Sequence, residues 1–227
     1  DHAVVTEPLL AERVEVLRGP AALVHGGAVG GVVNVVDQKI PTALPENGLE
    51  GTAELRWGSA ANERAGVVGL TAGKGPLALR VEGASRRAGD YRVGSGWAGG
   101  RKVDGSFNET DTGSIGLSWI GSAGYLGLAY TRQQAQYGLP GHTHGFEDCH
   151  THGLGANMHL HCGGHGHADH DDHDHDDHDH DHDHSVPVVD MTSHRWDVRG
   201  QWNVPLQGIE AVRLRASHTR YGHDEVE

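Results

Sequence analysis

Residues 112–124 read Thr112-Gly113-Ser114-Ile115-Gly116-Leu117-Ser118-Trp119-Ile120-Gly121-Ser122-Ala123-Gly124. Ile115, Leu117 and Trp119 alternate with Ser114, Gly116 and Ser118, a period of two that puts the large apolar side chains on one face of an extended strand. The Gly-Ser-Ala-Gly run then supplies a tight turn. The same texture recurs on either side. Ala53, Leu55 and Trp57 alternate with Glu54 and Arg56, and Leu77, Leu79 and Val81 with Arg80 and Glu82. Further on, Trp196, Val198 and Trp202 alternate with Arg195, Asp197, Arg199 and Gln201, and Val212 and Leu214 with Arg213 and Arg215. Each segment predicts a strand with one apolar and one polar face.

The connections sort these strands. Residues 73–76, 121–124 and 205–208 are tight turns, whereas 58–62, 89–108 and 134–191 lengthen in turn, and short alternates strictly with long. In an antiparallel meander alternate connections lie at the same end. All short turns then face one way and all long loops the other, as in an outer-membrane β-barrel. Trp119, Tyr125 and Trp202 fall beside the short turns, where an interfacial aromatic girdle belongs. A soluble β-sandwich is the competing architecture, and it would produce such sorting only by chance.

Composition agrees. The 227 residues suit one large domain or two small ones. With 35 glycines, about twice the usual share, and 5 % aromatics, the chain is poor material for a compact soluble core. The net charge of −13 is local: residues 142–184 hold eleven acidic residues and no Lys or Arg, leaving −2 for the rest. That excludes a globally acidic surface and the basic stripe of a nucleic-acid binder. No run of eighteen apolar residues occurs, which excludes a helical membrane protein but not a barrel. No secretory signal stands at the start. With no nucleophile elbow, phosphate loop or His-Glu-x-x-His helix, an enzyme is not expected.

Residues 142–184 also hold fifteen histidines. His142, His144, Cys149, His150, His152, His159, His161 and Cys162 have mixed spacing; His165, His167, His170, His173, His175, His178, His180, His182 and His184 sit in a nearly pure His/Asp tract. Imidazole and thiolate suit zinc, with nickel, copper and cobalt as alternatives, and the repeat offers interchangeable ligand sets suited to capture with fast exchange. A solvated tract with incidental metal affinity is the bland alternative. Cys149 and Cys162 can form a local disulfide or join His150, His152, His159 and His161 as metal ligands, but not both. His25, His194, His218 and His223 read as loop or lumen residues.

Residues 12–37 differ in texture. Arg13-Val14-Glu15-Val16-Leu17-Arg18 alternates as a strand, Gly19-Pro20 opens a helical turn over 21–25, and Gly30-Gly31 leads into Val32-Val33-Asn34-Val35-Val36. Taken alone this is a small α/β unit. The Leu-Arg-Gly-Pro ending and the later Gly-Gly-Val-Val-Asn strand resemble the plug domain of TonB-dependent outer-membrane receptors. The resemblance implies a mostly β fold: the C-terminal part of a plug over 1–40, a linker over 41–48, and about seven strands of a 22-stranded barrel over 49–227, with 134–190 as a long extracellular loop. Residues 85–91, 112–119 and 136–140, followed by His142-Thr143-His144 and Asp148-Cys149-His150, resemble the zinc-uptake branch of Gram-negative bacteria, whose third outer loop is His-rich.

That branch implies zinc as cargo, an outer-membrane location, and a TonB partner acting through a box that this sequence does not contain. It also carries an Asp-His pair at the plug-level site, matched here only by Asp1 and His2. Seven strands leave open edges that lipid does not tolerate, so these residues are not expected to transport alone. A haem or metal-siderophore receptor of the same fold and a soluble extracytoplasmic metal buffer are the alternative functions.

Overall fold

A computed structural model describes residues 7, 10–19, 31–95, 100–140, 149–152, 159–162, 186–206 and 208–226, with the backbone alone for 149–152, 159–162 and 204–206. Strands dominate, and no helix occurs among the described residues. The strands are β1 (Ala11–Leu17), β2 (Val32–Asp37), β3 (Leu49–Gly58), β4 (Glu63–Lys74), β5 (Leu77–Ala88), β6 (Asn108–Gly121), β7 (Gly124–Gly138), β8 (Cys149–His152), β9 (His159–Cys162), β10 (Val188–Leu206) and β11 (Ile209–Val226). β3 to β7, β10 and β11 form one seven-stranded antiparallel sheet in the order β11-β10-β7-β6-β5-β4-β3. β1 pairs with β2, and β8 with β9, as separate two-stranded sheets. The helical turn expected over 21–25 lies outside the described residues.

The register aligns the alternating residues of neighbouring strands into rows. One row runs Leu79, Leu117, Leu128, Val198, Ala216; the next towards the short turns runs Leu77, Trp119, Leu126, Gly200, Leu214. These rows share one face, and that face is uncovered: Leu55 is 69 % exposed, Trp57 72 % and Leu117 51 %. The opposite face is covered yet polar, with Arg80 at 6 % and Glu82 and Asp197 at 3 %. The polarity is thus the reverse of a protein that buries its apolar face in water. A small apolar cluster of Ala135, Tyr137, Val189 and Met191 closes the covered face at its loop end.

The cover comes from the chain that leads out of β2. Asp37 meets Arg199 of β10 at 2.8 Å, Ile40 is 3 % exposed, and the segment reaches the turn end where Gly73 donates its N–H to Gly48 at 2.8 Å. Close approach requires glycine at two points. A Cβ at Gly116 would collide with the Lys39 carbonyl, and one at Gly127 with the Ile40 side chain.

The antiparallel order puts the short turns after β4, β6 and β10 at one end and the connections 59–62, 89–107 and 139–187 at the other. At the loop end Gly89 and Arg92 donate N–H bonds to Ala61 and Ala60, and Gly138 to Phe107, so the roots of the three loops are tied together. Two expectations are corrected. Tyr125, opposite Ile120 and Gln201, lies on the covered face, because the two-residue turn at 122–123 shifts the alternation by one residue; Trp119 and Trp202 remain on the uncovered face. Strands β7 and β10 also run further, to Gly138 and from Val188, than the loop boundaries 134–190 implied.

Candidate metal-capture loop and the polar inner face

The His-rich excursion leaves the sheet between β7 and β10, at the end that carries the long connections. Within it β8 and β9 pair with Cys149 opposite Cys162, His150 opposite His161, Thr151 opposite Leu160 and His152 opposite His159. Strand alternation then assigns the four histidine positions to one face of the ribbon and both cysteine positions to the other. The histidine positions form a rectangle of about 5 by 7 Å between Cα atoms. Directly opposed residues sit about 4.5–5.5 Å apart, within the Cα separation a disulfide spans. On this register a mixed Cys-His ligand set would take positions from both faces of the ribbon. Asp1, His2, His142, His144 and the histidines of the tract 165–184 lie outside the described residues.

The covered face carries the second polar assembly. Arg80 on β5 donates to Glu82 Oε1 at 2.6 Å and to Thr71 Oγ1 at 2.8 Å, while Ser114 on β6 donates to Glu82 Oε2 at 2.9 Å. Neighbouring same-face positions and adjacent strands bring these groups together, and each satisfies another that burial would otherwise leave orphaned. Arg195 grips Asp197 with three contacts between 2.8 and 3.0 Å. Arg199 reaches Asp37 at 2.8 Å as an ion pair, and Arg56 reaches Glu7 at 2.6 Å, tying the segments before β3 to the sheet wall.

Between that cover and the wall lies a cavity of about 310 Å³, lined by Glu7, Asp37, Glu82, Thr131 and Arg195 among others. Its carboxylates are already engaged by arginines or by Lys39. Among the described side chains no group of three or more His, Cys, Asp or Glu is arranged to hold a metal ion. The inner face therefore offers structural ion pairs, and the ligand-rich chemistry sits in the loop.

The sequence marked Arg80, Glu82 and Asp197 as a polar face but not that they are buried, with Arg80 bonded to Glu82 and Asp197 to Arg195; the charges alternating with Leu79 and Val81 and with Trp196 and Val198 were the available signal. It also assigned His194 and His218 to loop or lumen. Both occupy the uncovered face, where His194 Nδ1 lies 2.7 Å from the Tyr130 hydroxyl, while His223 is on the opposite face near Tyr221. His25 is outside the described residues. No known protein-family model matches the chain.

Proposed function

We propose that this chain belongs to a TonB-dependent outer-membrane receptor that takes up zinc or a similar divalent metal, with the β7–β10 loop gathering the ion at the cell surface. The observation that carries the reading is the reversed polarity of the seven-stranded sheet. An uncovered apolar face beside a covered charged one is stable where the outer solvent is hydrocarbon and the enclosed side is polar, as in a membrane barrel. A soluble metal buffer has no use for such a face, which would drive its association in water.

The β1–β2 hairpin and the segment after it act as the part of a plug that lies against the barrel wall. Ion pairs such as Arg199–Asp37 hold it there while leaving it separable, because they can be exchanged for water when the plug is pulled. The edges of β3 and β11 must on this reading be met by further strands, since unpaired backbone groups are not tolerated in lipid.

In the loop, the four-histidine face of β8–β9 provides a set of neutral nitrogen donors for a tetrahedral ion. The cysteines on the other face form a disulfide that closes the ribbon, worth about 3 kcal/mol for a loop of this size. A ribbon of two short strands is marginal in water without such a staple. The acidic His/Asp tract concentrates cations beside it.

The test is uptake by the intact receptor with and without residues 142–184. Removal should slow zinc accumulation most when the metal is scarce and least when it is abundant. Equal accumulation under both conditions would remove the capture role. Competition by haem rather than zinc for the same uptake would favour a receptor of the same fold with a different cargo.

A further inference from the structure

On the uncovered face, the row next to Tyr130 and Trp196 on the loop side consists of Arg132, His194 and Arg220, directly opposite one another on β7, β10 and β11. Arg132 and Arg220 are exposed and make no hydrogen bond or ion pair among the described residues. Asp111, diagonal to Arg132, is taken up by Arg87 at 2.5 Å. Arg132 and Arg220 flank His194 on either side, two cations with no counter-charge among the described residues, so the row suits an anion from outside the chain.

Beside Arg132 the same face is hollow. A trough of about 710 Å³ is lined by Leu55, Gly66, Val68, Gly83 and Gly113 and ends on Arg132. At Gly113 a Cβ would meet nothing within 4 Å, so the hollow exists because the side chains are missing. Cationic row and apolar trough thus adjoin at the border of the apolar belt, just beyond an aromatic pair whose ring centroids are 4.6 Å apart. Aromatic rings mark the level at which hydrocarbon gives way to headgroups.

We propose that this place binds one membrane lipid with a phosphorylated, anionic headgroup, the phosphate lying between Arg132, His194 and Arg220 and an acyl chain in the glycine trough. Guanidinium groups pair with phosphate through charge-assisted hydrogen bonds, and the apolar trough accounts for a lipid rather than free phosphate as occupant. The proposal rests on the membrane-wall reading given above.

The test uses the intact receptor in nanodiscs of phosphatidylcholine doped with phosphatidylglycerol, with retained lipid counted by native mass spectrometry. Wild type should keep phosphatidylglycerol in preference to phosphatidylcholine, and inorganic phosphate should not displace it. Each of Arg132→Gln and Arg220→Gln should reduce the preference about fivefold. Gly113→Val should shorten retention with both arginines present, while Arg213→Gln with Arg215→Gln, which removes two charges from the other face, should leave it unchanged. Equal retention of both lipids by wild type, an equal loss in the Arg213/Arg215 control, or displacement by inorganic phosphate would overturn the lipid site. A receptor that stays out of the nanodiscs altogether would overturn the membrane reading itself, and is seen before any lipid is counted.

Discussion

Arg80 and Glu82 show what one residue does in a wall with a buried polar side. Their side chains are 7 % and 1 % exposed and are bonded to each other, to Thr71 and to Ser114. Arg80→Met strands a carboxylate with no counter-charge and should cost about 3–5 kcal/mol, read as a lower urea midpoint of the protein refolded in micelles. Arg80→Met together with Glu82→Leu should recover most of that loss, because both charges leave together. Gly116 tests the opposite kind of constraint. Gly116→Val drives a side chain into the Lys39 carbonyl, and overpacking of this sort costs about 1–3 kcal/mol. Hydrogen exchange should rise across 37–41 while the β6 ladder stays protected; unchanged exchange there would mean the cover does not rest on this wall.

Among the elements, the β8–β9 ribbon and the long strands differ in how far they can be read in advance. In a chain lacking 165–184, zinc should still bind once per molecule, and His150→Ala with His161→Ala should weaken it by more than about tenfold, since loss of even an outer-shell partner costs that much. Replacing both cysteines by serine should weaken binding less, through a looser ribbon rather than lost ligands. Metal binds neutral imidazole, so affinity is full above the ordinary histidine value near 6.5 and falls as pH drops through it. Calorimetric isotherms at pH 7 and pH 5 that coincide would contradict imidazole ligation. The alternation of Leu77, Leu79 and Val81 was visible because apolar and polar neighbours contrast. Over 131–134 both faces are polar, with Thr131, Arg132, Gln133 and Gln134 in succession, so the periodic signal fades although the backbone ladder continues to Gly138.

At the scale of the whole molecule, the decisive variable is which solvent meets the apolar face. Leu117 lies mid-row on that face, half exposed. Leu117→Arg should cost about 2–4 kcal/mol for folding into a bilayer, whereas the same change on a water-facing surface would be close to neutral. Equilibrium folding into vesicles measures it, and a neutral result would end the membrane reading. The sequence by itself determined the alternating strands of the large sheet, the order of short and long connections and the concentration of metal ligands in one loop, because periodicity, turn residues and composition are local properties. It could not say that Tyr125 turns inward, that Arg80 and Glu82 are buried partners, or that Arg132, His194 and Arg220 stand side by side. Those depend on the turn at 122–123, on the segment that covers Arg80 and Glu82, and on register between strands, where a shift of one residue moves every side chain to the other face. The same is true of the loop: the concentration of His and Cys was legible, but only the pairing of β8 with β9 gathers four histidine positions on one side.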